Sequence, residues 1–181
     1  MCAPLIAAVL LLTLPFGDVA STQQPAKAPT GEQLEQELDA AATRLLRLLE
    51  KGEPGGFAAL CSADGVLFGA ARESTPLEDL RAAFAKKQGA YCLLFSTECL
   101  RASRAATTRP ADLPLFSLRD RLLKASKREA DLEVNRVEGT WVGDVFLRLE
   151  GAPGVATGRQ PIEFSFGYEE GRWRLIAITL P

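Results

Sequence analysis

TWVGDVFLRLE, residues 140–150, places apolar side chains on one face of an extended chain and polar side chains on the other. Trp141, Val145, Leu147 and Leu149 share the apolar face, because successive side chains of a strand point in opposite directions. The segment therefore predicts a strand that has one face on a hydrophobic core.

Strand-like segments lie on both sides of residues 140–150. Residues 131–138 precede them, a loop at 151–158 follows, and residues 162–168 and 173–180 continue the alternation. Short turns between such segments are typical of antiparallel neighbours. This part of the chain therefore predicts an antiparallel sheet.

Helical periodicity characterises the chain before these strands. Apolar residues recur every three or four positions from about Glu32 to Lys51, and Gly52 follows, as it often does at the end of a helix. Residues 57–61 predict a short second helix. Thr75, in the sequence TPLE, and Ser117, in SLRD, are the predicted N-caps of two further helices.

Two short apolar segments among these helices, residues 66–68 and 91–95, are interpreted as strands. Residues 102–116 contain two prolines and predict an irregular segment. Helices that come first and strands that come last predict an α+β fold.

This order of elements resembles that of the nuclear-transport-factor-2-like superfamily, the cystatin-like α+β roll. The similar features are a long first helix, a short second helix that ends near Leu60, the turn at residues 62–65, the capped helix from Thr75, and the hairpin at 171–175. The resemblance covers residues 32–181. It implies N-terminal helices packed on a curved antiparallel sheet that encloses a cone-shaped pocket.

The resemblance also implies a homodimer through the sheet face. It does not choose a function, because the family includes isomerases, dehydratases and many domains without activity.

The first 21 residues predict a secretory signal. Leu5–Leu14 is an uncharged apolar run of the length of a signal h-region and is too short to span a bilayer. Small residues at Val19 and Ser21 favour cleavage after Ser21. The alternatives are an uncleaved anchor and a merely hydrophobic N-terminus. Residues 22–31 are polar and predict a disordered spacer. One domain at 32–181 is then expected to be secreted or periplasmic and to meet a membrane only during export.

Composition restricts the chemistry of this domain. The chain has 21 basic and 23 acidic side chains, so its net charge of −2 indicates no general attraction to nucleic acid. It contains no histidine, which excludes Ser-His-Asp and Cys-His catalysis and imidazole metal sites. We therefore expect no metal and no cofactor.

Cys61, Cys92 and Cys99 follow the predicted cleavage site. Three cysteines allow at most one intramolecular disulfide, which an oxidising compartment would favour. Their spacing leaves the pairing open, and three buried thiols are the alternative.

Asp64 and Tyr91 are the candidate catalytic pair. An apolar pocket raises the pKa of an aspartate so that it can shuttle a proton, while a tyrosine donates to a developing oxyanion. The alternative is that Asp64 caps a turn and Tyr91 is a core aromatic.

Four aromatic residues are candidates for lining a pocket for an apolar ligand; the alternative is that they are core residues. They are Trp141, Phe164, Phe166 and Trp173.

Residues 101–128 contain eight basic and two acidic side chains. Arg119, Arg121 and Lys124 are therefore candidates for binding an anionic partner, such as phospholipid head groups, a cell-wall polymer or an acidic protein. The alternative is a solvated face that acidic residues elsewhere balance.

The sequence favours a secreted, cofactor-free binding or structural domain that takes a small apolar ligand or a protein partner. The alternatives are an isomerase- or dehydratase-type enzyme and an envelope-associated module that binds anions.

Overall fold

Helices precede the long strands in the computed structural model, which describes residues 29–69, 73–108, 114–154 and 160–180. The described helices are α1 (Gly31–Lys51), α2 (Pro54–Ala58), α3 (Leu77–Lys86), α4 (Ala90–Phe95), α5 (Thr97–Ala106) and α6 (Leu118–Lys124). The described strands are β1 (Leu67–Phe68), β2 (Lys127–Val137), β3 (Thr140–Glu150), β4 (Ile162–Glu169) and β5 (Arg172–Thr179). The predicted signal and most of the predicted spacer lie outside the described residues.

The strands form one sheet in the order β1-β5-β4-β3-β2. The four long strands are antiparallel neighbours, as predicted, whereas β1 runs parallel to β5 at one edge. The α+β class is therefore confirmed, and the sheet is mixed. A register shift in the β4–β5 ladder leaves Ile176 opposite no residue of β4. Such a bulge bends the strand and adds local twist, which curves the sheet.

Residues 140–150 form β3 with the predicted bounds and the predicted buried face. Val145, Leu147 and Leu149 are buried, and they pack in one core with the buried leucines of α1. Gly143 lies on the same face, and a Cβ at this position would lie 2.6 Å from Cδ2 of Leu38. The missing side chain therefore lets α1 approach β3 closely.

Helix α1 has a cap at each end. It begins one residue before the predicted start, where Thr30 and Gln33 form a capping box. Gly52 ends it in the left-handed conformation, as the sequence predicted. The two caps define the ends of the helix, and the spacing of Leu34, Leu38, Leu45 and Leu49 places them together on its buried face.

Three predictions about the helical part are wrong. Residues 102–106, predicted to be irregular, belong to α5, whose N-cap Ser96 accepts a hydrogen bond from the N–H of Cys99. Residues 91–95 form α4 and not a strand. An apolar run of this length has no periodicity that separates a buried strand from a buried helix. Thr75 does not cap α3, because it exchanges two backbone hydrogen bonds with Val66 and the cap position passes to Pro76. The predicted cap at Ser117 is confirmed, since its Oγ accepts from the N–H of Asp120.

The helical layer closes around three phenylalanines. Phe57, Phe84 and Phe95 meet edge to face, with ring centroids 5.5–5.9 Å apart. Because Phe95 belongs to α4, this cluster explains why Phe95 is buried. None of the helices within the described ranges is long and apolar enough to cross a membrane.

The cysteine pairing that spacing left open is Cys92–Cys99, with Cα atoms 5.0 Å apart, and it joins α4 to α5. Cys61 is a buried free thiol. Burial raises the pKa of Cys61 from 9.0 to about 12, against the opposing effect of Arg174 and Arg81.

We expect Gly143→Ala to lower the free energy of unfolding by about 1–3 kcal/mol, because the new methyl group meets a fully buried leucine. Chemical denaturation would measure the change. Gly31→Ala is the matched control, since a Cβ there meets nothing within 4 Å, and it should change stability by less than about 1 kcal/mol. Equal effects of the two variants would contradict the close packing of α1 on β3.

We expect Cys61 to be unreactive in the folded protein. At about pH 8 a pKa near 12 leaves roughly one thiol in 10⁴ as thiolate. In a Cys2→Ser background, thiol titration should find no rapidly reacting group in the native protein, one after denaturation, and three after reduction. A fast native thiol, or three thiols without reduction, would contradict the pairing and the burial.

Candidate functional site

An open groove with a volume of about 540 Å³ lies between α1, the turn after α2 and the β4–β5 hairpin. We call it the α1–hairpin groove. Ala40, Ala41, Leu60 and Trp173 provide its apolar lining.

Helical spacing brings the α1 side of this groove together. Glu37, Ala40, Ala41 and Arg44 recur at intervals of three and four residues and therefore share one helix face. The two alanines leave space above the helix, and the charged residues lie on either side of them.

Trp173 forms the opposite wall of the groove. Its Nε1–H donates to the carbonyl oxygen of Leu34 over 3.0 Å, and the ring is almost fully buried. Tyr168 packs against this ring with centroids 5.1 Å apart and donates its hydroxyl to Oε2 of Glu37. Partial burial and this hydrogen bond raise the pKa of Tyr168. Glu37 therefore faces the groove with one oxygen already bound.

Three arginines surround the apolar lining: Arg44, Arg172 and Arg174. Arg172 forms an exposed ion pair with Glu170 over 3.5 Å. Nη1 of Arg174 donates to the carbonyl oxygen of Ala59. These contacts leave Arg44 and Arg174 as the principal positive charges of the groove.

A second cavity, with a volume of about 390 Å³, lies on the other side of Arg174. We call it the Cys61 cavity, after the buried thiol in its lining. Its charged lining residues are Asp64, Arg81, Glu169, Glu170 and Arg174.

The turn that carries Asp64 packs tightly on its neighbours. Gly65 has a φ of +100°, and a Cβ there would lie 2.1 Å from the carbonyl oxygen of Thr75. The N–H of Ser62 donates to the carbonyl oxygen of Leu175 over 2.9 Å, which ties the turn to β5. Asp64 is thereby held beside the Cys61 cavity.

The two predicted catalytic residues lie on different elements. Asp64 is exposed and lines the Cys61 cavity. Tyr91 is half-buried on α4, with its ring centroid 5.6 Å from that of Phe95, and lines neither cavity. Within the described ranges, no hydrogen bond joins the two residues. Their joint catalytic role stays a prediction.

The four predicted aromatic ligand contacts separate into core and surface. Phe164 and Phe166 are each 1% exposed and belong to the core. Trp141 is half-buried, and the guanidinium of Arg136 lies 5.5 Å from its ring centroid. Trp173 is the member of this set that borders the α1–hairpin groove.

The three predicted anion-binding residues have different environments. Arg121 is only 3% exposed. Nε of Arg119 donates to the carbonyl oxygen of Glu50 over 3.0 Å, at the negative end of the α1 dipole. Lys124 is exposed and lies 5.8 Å from the ring centroid of Phe116. The structure therefore does not bring the three cations together on one exposed face, and their anion-binding role stays a prediction.

The side chains that line the two cavities were missed by spacing arguments, apart from Asp64 and Trp173. The alanine pair of α1 between Glu37 and Arg44 is the one local signal for the groove. Among the described residues, no group of three or more cysteine, aspartate or glutamate side chains is placed to hold a metal ion.

Several solved structures are similar to this chain. One is a protein of unknown function with a cystatin-like fold from Nostoc punctiforme, with 15% identity, a TM-score of 0.44, and coverage of 83% of this chain and 90% of that chain. An NTF2-like protein from Cytophaga hutchinsonii has 12% identity and a TM-score of 0.42, over 84% of this chain and 100% of that chain. A proposed dehydratase of the NTF2-like family from Streptomyces avermitilis has 13% identity and a TM-score of 0.41, over 83% of this chain and 96% of that chain.

No family model and no curated protein matches the chain. The similarities to solved structures concern the fold alone, and no residue role or activity is carried over from them. The chain is thus an α+β protein with helices packed on a five-stranded sheet, similar in fold to proteins described as NTF2-like and cystatin-like.

Proposed function

We propose that this protein is a secreted binding domain whose α1–hairpin groove takes a small organic anion with an apolar body. The observation that carries the proposal is the apolar lining between Arg44 and Arg174. The groove joins the two features that such a ligand needs, an apolar surface and a positive charge beside it.

The groove has the size and chemistry of a small-molecule site. Its volume of about 540 Å³ lies within the range of about 300–1,000 Å³ that is usual for ligand sites. Guanidinium groups bind carboxylates and phosphates through charge-assisted hydrogen bonds. The alanines of α1 and the edge of Trp173 would contact the apolar body of the ligand.

Local charge favours an anion although the whole chain has a net charge of −2. Glu37 is the acidic residue that lines the groove, and it accepts a hydrogen bond from Tyr168. Charges more than about 8–10 Å away are largely screened at physiological ionic strength. A ligand in the groove would therefore experience mainly the nearby arginines.

We expect 2-naphthoate to bind more tightly than the neutral 2-naphthamide, because only the carboxylate can pair with Arg44. Arg44→Gln should weaken binding of the anion by about three- to tenfold, as is usual for a partly solvated charged hydrogen bond. Isothermal titration calorimetry or ligand-observed NMR would measure both affinities.

Arg47→Gln is the matched control, since it removes the same charge from an exposed position of α1 that does not line the groove. It should change the affinity by less than about twofold. Ala40→Leu should block binding of both compounds, because its side chain enters the groove. Absence of naphthoate binding, equal binding of the amide, or equal losses in the two arginine variants would contradict the proposal.

Two observations support export. The apolar run Leu5–Leu14 has the length of a signal h-region. The Cys92–Cys99 disulfide is the kind of bond that persists in oxidising compartments. We therefore propose that the protein is secreted or periplasmic and that cleavage follows Ser21.

We expect protein purified from its own host to have the mass of residues 22–181 less two hydrogen atoms. The loss of residues 1–21 from the mass reports signal cleavage, and the loss of two hydrogen atoms reports one disulfide. Intact mass spectrometry before and after reduction would measure both. A full-length mass from the cytosolic fraction would contradict export, and an unchanged mass on reduction would contradict the disulfide.

A further inference from the structure

We infer that the Cys61 cavity is a separate binding site for a zwitterionic small molecule, specifically an α-amino acid with an aliphatic side chain. Charges of both signs face this cavity from several elements of the chain. Arg81 comes from α3, Arg174 from β5, Glu169 from the end of β4, and Asp64 from the turn before β1. Glu170, in the turn after β4, also lines the cavity, and it forms an ion pair with Arg172 over 3.5 Å.

These opposite charges do not neutralise one another directly. Within the described part of the chain, no ion pair of 4.0 Å or less joins Arg81 or Arg174 to Asp64 or Glu169. They therefore line one cavity of about 390 Å³ without pairing with one another. Such an arrangement can bind a ligand that carries both charges.

The negative side of the cavity is organised by a buried hydroxyl. Ser62 is 2% exposed, and its Oγ donates to Oε1 of Glu169 over 2.8 Å. The same Oγ accepts from the backbone N–H of Asp64 over 3.2 Å. The hydroxyl thus holds the Glu169 carboxylate through one oxygen and leaves Oε2 for the ammonium group of a ligand.

The positive side is organised by the backbone. Nη1 of Arg174 donates to the carbonyl oxygen of Ala59, which directs the guanidinium along the cavity wall. Burial raises the pKa of the Cys61 thiol, while Arg174 and Arg81 both act to lower it. Arg81 and Arg174 line the cavity together with Cys61, so both positive charges can receive the carboxylate of the ligand.

The remaining lining determines the ligand class. Ala58, Cys61, Ala63 and Leu77 give the cavity small apolar surfaces. An aliphatic side chain can contact them without leaving polar groups unpaired. A ligand of a single charge would satisfy only one side of the cavity and would desolvate the other without compensation.

We expect L-leucine to bind at least about tenfold more tightly, or by about 1.4 kcal/mol, than either of its singly charged analogues, because each analogue leaves one charged side of the site unpaired. The analogues are 4-methylpentanoate, which lacks the ammonium group, and 3-methylbutylamine, which lacks the carboxylate. Calorimetry or ligand-observed NMR on the folded protein would measure the three affinities.

Two variants assign the charges. Arg81→Gln should weaken binding of leucine and 4-methylpentanoate by about tenfold and leave 3-methylbutylamine unchanged. Glu169→Gln keeps an acceptor for Ser62 and should weaken binding of leucine and the amine, leaving the acid unchanged. Asp79→Asn, on the exposed face of α3 and outside the cavity lining, is the control and should change none of the affinities.

Absence of leucine binding, equal affinity for all three compounds, or equal effects of Arg81→Gln and Asp79→Asn would overturn the inference. Neither test variant lines the α1–hairpin groove. The outcome is therefore independent of whether that groove binds 2-naphthoate.

Discussion

The close approach of α1 to β3 at Gly143 determines how the two layers meet. The side chain of Leu38 occupies the place that a Cβ at Gly143 would take, and Cη2 of Trp173 would lie 3.2 Å from that Cβ. The absence of a side chain at Gly143 thus allows Leu38 and Trp173 to pack at the same place on β3. This contact brings α1 near enough to β5 for the carbonyl oxygen of Leu34 to accept the indole N–H of Trp173.

Both cavities depend on how β5 is placed by this contact. The buried face of β5 is anchored under α1 through Trp173, while Arg174 reaches the carbonyl oxygen of Ala59 beside α2. The guanidinium of Arg174 therefore lies between the α1–hairpin groove and the Cys61 cavity and lines both. Since its backbone carbonyl partner is fixed by the fold, the two cavities are separated by a side chain with a defined position.

Periodicity predicted the long elements because each one repeats its pattern several times. Helix α1 spans 21 residues and β3 spans 11, so each offers many positions to the same pattern. The apolar run at residues 91–95 has too few positions to distinguish a helical period from a strand period. Helix α5 was missed for a different reason. Its N-cap, Ser96, directly follows the last residue of α4, so no loop in the sequence marks where α5 begins.

The candidate sites were less predictable than the fold because their contacts join distant parts of the chain. The hydrogen bond between Ser62 and Glu169 spans 107 residues, and that between Trp173 and Leu34 spans 139. No local spacing contains such information. The same limit explains why Phe164 and Phe166 were candidates for a pocket lining, since alternation identifies an inward face but not what covers it.

Ligand binding to this protein depends on the charged side chains close to each cavity and not on the net charge of the chain. Its net charge of −2 argues against long-range attraction of polyanions. Within a Debye length of about 8–10 Å, however, a ligand meets only the nearest side chains. In the groove these are mainly arginines, and in the Cys61 cavity they are of both signs. Two neighbouring cavities can therefore select ligands of different charge, although they share Arg174 and the same fold holds both.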